Sequence, residues 1–323
     1  NFVPDRSASA GEPMVTASGL ARVEKRPALK ALPLLSIAAI VAVAVTIIGT
    51  LVLVPNRADV AAGFSTREIV EIDAILFLSA IMSGLSGFGF SAVGAATLLF
   101  MEPVLEAPLL QTLSTGNQLL SVQRLRADMP SSWKAFIDGP GYCILGGLPG
   151  AYAGIWMLSH MPARQLMTVS GIFLVMYCVY SLTKPAGAKI SGFDGPISAM
   201  VVGFIGGALG GFTAFPGAAV VVWTGLRELP KAKSRAIVQP YIIMSQIFSL
   251  GLIALQHPHY LDHRYWTLFL LTLPAVLPGT LGGVMLYRRI SDINFRRISF
   301  FLLGLSGFVL LLRLYVPLVL NLF

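Results

Sequence analysis

Charged residues are scarce in this chain. Asp, Glu, Lys and Arg make up only 12% of its 323 residues, whereas apolar residues make up 55%. A typical soluble domain is about 25% charged. Apolar runs at 32–54, 195–226, 236–255 and 298–323 are each long enough to cross a bilayer core, which takes about 20 residues. This composition excludes a soluble globular protein and predicts an all-α polytopic membrane protein.

Cysteine and the common catalytic motifs are also scarce or missing. The two cysteines, Cys143 and Cys178, lie in apolar segments and are interpreted as small buried hydrophobic residues rather than a disulfide. There is no Walker lysine motif, and "GFGFSAVG" differs from the dinucleotide-binding fingerprint. The stretch "HPHYLDH" (257–263) matches no zinc spacing and is predicted to be a solvated outer loop. We therefore predict no enzyme activity, no metal and no cofactor.

The net charge of +8 comes from short Lys and Arg clusters that lie between the apolar runs. Such clusters are typical of the cytoplasmic loops of membrane proteins, which carry an excess of positive charge. A nucleic-acid-binding protein would instead present a basic face together with a recognised motif. The predicted partner of this chain is therefore a lipid bilayer and not a nucleic acid.

The two halves of the chain resemble each other in three ordered stretches. In the first, small residues recur every four positions, and the pairs 124 positions apart are Ser79 and Gly203, Ser83 and Gly207, and Gly87 and Gly211. The second pair is "QTLSTGNQLLS" (111–121) and "QPYIIMSQIFS" (239–249), and the third is "LPGAYAG" (148–154) and "LPGTLGG" (277–283). This order predicts an internal duplication.

Each copy contains a glycine-interrupted segment followed by three uninterrupted spans. The spans are predicted at 106–123, 135–158 and 164–183, and again at 236–255, 265–286 and 298–316. The interrupted segments divide into the short pieces 74–86 and 90–101, and 197–211 and 217–226. A piece of 12 residues reaches about 18 Å, which is less than the hydrocarbon core of about 30 Å. Each pair either crosses as one broken span or returns as a re-entrant hairpin.

Loop charges favour the hairpin. If the N-terminal tail is cytoplasmic and the pairs return, 18 of the 23 Lys and Arg residues lie inside and 5 outside; if the pairs cross, the split is 14 to 9. The positive-inside rule therefore predicts re-entrant pairs. A returning hairpin plus three spans gives an odd number of crossings, so the second repeat is expected to be inverted relative to the first. Inverted repeats with discontinuous helices are a transporter architecture.

The resulting organisation has five parts. We expect a disordered cytoplasmic tail at 1–30, an extra N-terminal transmembrane helix with an external linker at 31–73, repeat 1 at 74–184, a cytoplasmic linker at 185–194 and repeat 2 at 195–323. The N-terminus is then cytoplasmic and the C-terminus periplasmic. The sequence leaves a homo-oligomeric state open.

The two breaks, "SGLSGFGFS" (83–91) and "GGFTAFPG" (210–217), are the candidate site. A helix that starts inside the membrane offers unpaired N–H groups and a partial positive charge, which suit an anion. Ser86, Ser91 and Thr213 add hydroxyl donors. The alternative is that the glycines only allow close helix packing.

A polar stripe follows each break. Gln111, Ser114, Gln118 and Ser121 share one helix face, and Gln239, Gln246 and Ser249 repeat most of it. Such a stripe faces either a cavity or another helix. The predicted substrate-binding residues from the breaks and stripes are Ser86, Gly87, Phe88, Gly89, Ser91, Asn117, Gln118, Gly210, Gly211, Phe212, Thr213, Pro216, Gly217, Ser245 and Gln246.

No charged residue lies within the breaks or the second short pieces, so neutral donors and helix dipoles are expected to hold the anion. A group of ionisable residues near span ends offers sites for a coupling proton, with ordinary interfacial placement as the alternative for each. These residues are Glu102, Glu106, Asp138 and His160.

The duplicated motifs "SAIMSGLSGFGFSAVGAATLL" and "GFIGGALGGFTAFPGAAVVVW", each followed by a glutamine-bearing helix, resemble the TauE/SafE-like sulfite exporter family over about residues 74–316. The resemblance implies a bacterial inner-membrane permease that exports sulfite, sulfoacetate or related organosulfonates. It supplies no site residues. A passive anion channel, or a membrane sensor or enzyme subunit, remains the alternative.

Overall fold

A computed structural model of the protein describes residues 63–124, 129–162 and 195–287, together with scattered residues from 164 to 183 and from 289 to 315. The described residues form helices and turns, with no strand among them. The predicted tail at 1–30, the N-terminal span at 32–54 and the linker at 185–194 lie outside the described residues. Within them, four helices are long and apolar enough to cross a membrane. The prediction of an all-helical membrane protein is confirmed.

The helices are numbered here in chain order. They are α1 (Thr66–Ser86), α2 (Phe90–Gly94, continued by a 3-10 turn at Ala95–Leu99), α3 (Pro103–Arg124), α4 (Trp133–Phe136, followed by a π turn at Ile137–Gly141), α5 (Tyr142–His160), α6 (Pro196–Thr213), α7 (Gly217–Leu226), α8 (Lys231–Gln256) and α9 (His263–Tyr287, preceded by a 3-10 turn at Pro258–Leu261). The four candidate spans are α1, α6, α8 and α9.

Helix α1 is longer than the sequence predicts. It begins at Thr66 rather than at residue 74, because Ser65 and Glu68 form a reciprocal capping box at its start. An ion pair of 2.8 Å between Arg67 and Glu71 supports the polar first turns. At 1.5 Å per residue α1 is about 32 Å long and α6 about 27 Å. The prediction of a short first piece at 74–86 is therefore wrong, whereas α6 begins and ends within two residues of the predicted piece at 197–211.

Both first pieces end at a residue with a left-handed backbone. Gly87 follows α1 with φ 84°, and Ala214 follows α6 with φ 57°. Glycine adopts this conformation without a steric penalty, whereas alanine does so at a cost. The left-handed residue turns the chain out of the helix at each predicted break.

After each break the chain folds back along the helix that it has just left. A Cβ atom built on Gly94 would lie 3.6 Å from Oγ of Ser79, and one built on Gly206 would lie 2.6 Å from the carbonyl oxygen of Pro216. A straight continuation would separate residues 206 and 216 by about 15 Å. The pairs α1–α2 and α6–α7 are therefore helical hairpins.

Glycines allow α5 and α6 to pack backbone to backbone. A Cβ atom on Gly146, Gly150 or Gly154 would overlap the carbonyl groups of Met200, Phe204 and Ala208 in turn. The contacts advance together along both helices, so α5 and α6 run in the same direction. Small residues permit such close approach between membrane helices.

The same packing joins α9 to α1. A Cβ atom on Gly279 would lie 2.6 Å from the carbonyl oxygen of Phe77, and one on Gly283 would overlap the carbonyl of Ile81. These two helices also run in the same direction. Each hairpin therefore packs against the "LPG" helix of the other half of the chain.

The two ends of the helix bundle carry an excess of opposite charge, although Arg67 and Arg264 lie at the first end and Asp138 and Glu228 at the second. At one end Phe64, Leu105, Leu261 and Tyr265 share a hydrophobic cluster beside the starts of α1, α3 and α9. We name it the acidic end, after its residues Glu68, Glu71, Glu102 and Asp262. At the opposite end α1 and α9 finish where α8 begins, and Gly139 lies close to Ile237. We name this the basic end, after its residues Lys134, Arg227, Lys231 and Lys233.

Candidate functional site

The two predicted breaks meet in the protein interior. The rings of Phe88 and Phe215, each the residue after a left-handed one, stack with centroids 6.3 Å apart and an interplanar angle of 18°. The hydroxyl of Ser91 donates a hydrogen bond of 2.5 Å to the carbonyl oxygen of Ala214. A Cβ atom on Gly217 would lie 3.2 Å from Cβ of Phe88. The tips of the two hairpins therefore form one junction.

Two glutamines bind the carbonyl groups of the left-handed residues. Gln118 Nε2 donates to the carbonyl oxygen of Gly87 at 2.8 Å, and Gln246 Nε2 donates to that of Ala214 at 3.5 Å. Both glutamine side chains are buried. A carbonyl group at a helix end has no donor within the helix, so it needs another donor where no water reaches it. Each glutamine supplies such a donor.

The residues that end α1 and α6 correspond differently in the structure than in the sequence comparison of the two halves. The sequence pairs Gly87 with Gly211, but the structure matches Gly87 with Ala214 by backbone conformation, by following phenylalanine and by glutamine partner. The pairing by sequence and the pairing by backbone conformation therefore differ by three residues. Small residues recur nearly every turn in both helices, so their pattern fits at several offsets.

Further hydrogen bonds connect the halves across the junction. Gln111 Nε2 donates to the carbonyl oxygen of Gly210 at 3.2 Å, and Thr115 Oγ1 donates to Gln246 Oε1 at 3.2 Å. Gln239 Nε2 donates to Gln118 Oε1 at 2.8 Å. All four glutamines of the two polar stripes thus take part in the hydrogen-bond network around the breaks.

Two of the three hydroxyl groups proposed as donors at the breaks, those of Ser86 and Thr213, have local partners. Ser86 Oγ accepts from the N–H groups of Phe88 and Gly89 at 3.3 and 3.0 Å, so these two groups are not open to an anion. Thr213 Oγ1 donates to the carbonyl oxygen of Leu209 at 2.6 Å. A hydroxyl in an apolar interior bonds the nearest backbone group, and these side chains do so.

Several predicted site residues have packing contacts instead. A Cβ atom on Gly211 would lie 2.7 Å from the backbone nitrogen of Ile155, and Phe212 packs in a cluster with Ala107 and Leu158. A Cβ atom on Gly210 would lie 2.6 Å from Cβ of Pro216, the residue before α7. The close-packing alternative therefore describes Gly210, Gly211 and Phe212.

Asn117 is a buried amide beside the glutamine network. Its side chain is 1% exposed, and neither its Nδ2 nor its Oδ1 atom has a hydrogen-bond partner among the described residues. Ser245, its counterpart on α8, is also buried and lies near Tyr241, whose hydroxyl donates to the carbonyl oxygen of Gly203 at 2.7 Å. A buried amide with open hydrogen-bonding capacity is suited to a water molecule or a polar ligand.

Sequence reasoning missed Arg235. It lies on the first turns of α8, which begins at Lys231 rather than at residue 236, and it is 1% exposed. Its Nε donates to Gln239 Oε1 at 3.1 Å, and its Nη2 donates to the carbonyl oxygen of Gly84 at 2.9 Å. The sequence places Arg235 in an ordinary basic loop cluster. The signal that could have found it is the helical spacing of four residues to Gln239.

The predicted ionisable residues divide into buried and exposed groups. Glu106 is buried at the start of α3, and Asp73 of α1 is buried as well. Asp138 and His160 are exposed, and His160 stacks on Trp156. The loops at the acidic end surround a cavity of about 570 Å³, whose lining includes Glu102, His259, Asp262 and Arg264. No cluster of three metal-ligating side chains occurs among the residues that the structure describes.

The chain was compared with known proteins. The family model described as "Sulfite exporter TauE/SafE" matches residues 72–310, which is more than half of the chain. Neither the curated proteins nor the solved structures include a significant match. The family match begins inside α1 and covers the rest of the first hairpin, the second hairpin, both glutamine helices and both "LPG" helices. The chain, a multi-pass helical membrane protein, therefore belongs to the sulfite exporter TauE/SafE family.

Proposed function

We propose that this protein is a secondary transporter that exports small sulfur-containing anions, such as sulfite, sulfoacetate or other organosulfonates. The observation that carries the proposal is the junction of two helix breaks, closed by the contact between Ser91 and Ala214, inside a membrane protein of an exporter family. Substrate sites of transporters lie where discontinuous helices meet. We propose that the substrate binds at this junction, with Gly87, Phe88, Gly89, Ser91, Pro216 and Gly217, together with Asn117, Gln118, Ser245 and Gln246, as the residues that surround it.

The architecture that we infer is a pair of inverted repeats. Two observations support it: α1–α2 starts from the acidic end and turns back, and α6–α7 starts beside the first turns of α8, where Ala199 clusters with Val238, and turns back. Helices α3 and α8, which carry the matching glutamines, run in opposite directions. Opposite hairpins with matching left-handed ends are the arrangement that a duplicated and inverted unit produces.

We assign the basic end to the cytoplasm of a bacterial inner membrane. The described residues Lys134, Arg227, Lys231 and Lys233 lie at this end, and cytoplasmic loops carry an excess of Lys and Arg. The cavity at the acidic end then opens on the periplasmic side and serves as the exit. The membrane potential would drive an anion outward, because the cell interior is negative.

Alternating access has a structural basis in the glycine interfaces. The hairpin α1–α2 packs on α9, and the hairpin α6–α7 packs on α5, each through backbone contacts that leave little room for sliding. Each hairpin and its partner helix are therefore expected to move as one body. Relative movement of the two bodies would open the junction first to one end of the bundle and then to the other. Asp73 and Glu106, both buried near the acidic end, are the candidates for a coupling proton.

Counterflow in proteoliposomes tests the proposal. Purified protein would be reconstituted, and vesicles loaded with sulfite, sulfate, thiosulfate, sulfoacetate or taurine would be assayed for uptake of the same labelled anion. We expect at least one sulfur-containing anion to show trans-stimulation, which is the signature of a carrier. Flux without trans-stimulation would indicate a passive channel, and no flux of any of these anions would overturn the proposal.

A further inference from the structure

Arg235 places a buried positive charge directly beside the first helix break. Its Nη2 donates to the carbonyl oxygen of Gly84 at 2.9 Å and its Nη1 to that of Leu85 at 3.4 Å. A Cβ atom on Gly87 would lie 3.4 Å from its Nε atom. The guanidinium group therefore lies against the end of α1, where the chain leaves the helix.

Several groups hold the guanidinium in this position. The Cζ atom of Arg235 lies 4.2 Å from the ring centroid of Tyr287, and Nζ of Lys231 lies 5.1 Å from the centroid of the same ring. Gln239 accepts from Nε of Arg235 and donates to Gln118, which in turn donates to the carbonyl of Gly87. The buried side chains of Gln239 and Gln118 thus form a hydrogen-bonded chain from the guanidinium group to the carbonyl of Gly87 at the break. A buried ionisable side chain in a membrane protein is energetically costly, and it marks a functional site more often than a structural one.

The second break has no arginine at the position that corresponds to Arg235. On the register that matches Gln111 with Gln239 and Gln118 with Gln246, the position that corresponds to Arg235 is Ala107. There the carbonyl of Gly210, near the end of α6, accepts a hydrogen bond from the neutral amide of Gln111. The buried guanidinium therefore lies beside the first break and has no counterpart at the corresponding position of the second.

The local electrostatics point to an anion. Helix ends such as that of α1 present carbonyl oxygens and a partial negative charge, which repel an anion. Gln118, Gln246 and Ser91 all donate to carbonyl oxygens at the junction. Their side chains are neutral, so they supply no positive charge to balance the partial negative charge of the helix end. Among the described residues of the junction, Arg235 is the group whose charge attracts an anion.

We propose that Arg235 is the anion-binding residue on the cytoplasmic side of the junction, where its guanidinium exchanges the carbonyl groups of Gly84 and Leu85 for two oxygens of the substrate. This inference rests on the proposed function and adds to it the residue that recognises the substrate. A guanidinium group binds two oxygens of an oxyanion in a planar, bidentate arrangement, which a lysine cannot reproduce. Release of the α1 carbonyls on binding would connect substrate entry to movement of the first hairpin.

Three variants test this role: R235Q, R235K and K233Q. Lys233 lies half a turn away on α8 and is exposed, so K233Q removes the same charge from the surface without touching the junction. The assay is concentration-dependent transport of labelled sulfite, or of the panel anion that the wild type transports fastest. Thermal unfolding of each purified variant is measured in parallel, because a purely structural role of Arg235 would change the unfolding temperature without changing the KM.

We expect R235Q to abolish saturable transport and K233Q to match the wild type. R235K keeps the charge but loses the planar fork, so we expect its KM to rise about tenfold while the maximal rate stays within about twofold. If R235Q does not insert into the membrane, the KM of R235K decides the question. An unchanged KM in R235K, normal transport by R235Q, or an equal loss in K233Q would overturn the inference.

The two proposals fail in different ways. A wild-type protein that transports none of the five anions overturns the proposed function. A wild-type protein that transports an anion, together with an R235Q variant of the same KM, overturns only the assignment of Arg235.

Discussion

Gln118 donates a 2.8 Å hydrogen bond to the carbonyl oxygen of Gly87, the left-handed residue at which α1 ends. Gln246 stands in the same relation to Ala214 at the longer distance of 3.5 Å. The two contacts connect the two kinds of unusual feature in this membrane sequence, its interrupted helices and its buried amides.

Gly87→Ala is expected to destabilise the protein and impair transport. The backbone at Gly87 has φ 84°, and a side chain in this left-handed conformation costs about 1–2 kcal/mol. The new Cβ atom would lie in van der Waals contact with Arg235, 3.4 Å from its Nε atom, so the backbone conformation is the main cost. Thermal unfolding in detergent measures the loss. Gly116→Ala is the matched control, since Gly116 lies inside α3 with open space around it. Equal unfolding temperatures for the two variants would contradict this account of the break.

Gln118→Leu is expected to be more damaging than Gln246→Leu. Gln118 makes the shorter bond to its carbonyl and also accepts from Gln239, so its loss leaves two buried polar groups without a partner. Double-mutant cycles on interhelical hydrogen bonds in a membrane protein average about 0.6 kcal/mol, with a maximum of about 1.7 kcal/mol. Unfolding free energies of both variants, and of the Gln118→Leu/Gln239→Leu double variant, measure the difference. We expect the double variant to lose less than the sum of the single losses; strict additivity would show that the two amides do not interact.

Gly154→Leu and Gly211→Leu are expected to abolish transport without preventing membrane insertion. Both glycines lie in the interface of α5 with α6, where a side chain would overlap the facing backbone and separate the helices. Membrane-fraction abundance and anion flux are measured together. Gly251→Leu is the control, because Gly251 on α8 has open space around it. Normal flux in both interface variants would show that the two helices do not have to stay in close contact during transport.

Cysteines placed at the two ends of the bundle are expected to label from opposite sides of the membrane. Glu102 is exposed at the acidic end and Lys233 at the basic end. In a background in which Cys143 and Cys178 are replaced, Glu102→Cys should react with an impermeant thiol reagent added outside intact cells. Lys233→Cys should react only after the membrane is opened. Labelling of both from the same side would refute the hairpin topology.

Parts of the fold and of the candidate site could be predicted from the sequence. Long apolar runs set the helical membrane class, and glycine clusters located the breaks at Gly87 and near Ala214. The ends of α7, Gly217 and Leu226, agree with the predicted piece at 217–226. The start of α1 was missed, because its first turns carry charges that resemble a loop.

The sequence by itself determined where helices stop and which faces of α3 and α8 carry amides, because periodicity and backbone propensity are local properties. Tertiary structure decided which partners these groups have. It matched Gly87 with Ala214, stacked Phe88 on Phe215 and brought Arg235 of a basic cluster to the end of α1, more than a hundred residues away in sequence. Hydrophobic periodicity records that a face is buried but not which neighbour buries it, and only packing makes that choice.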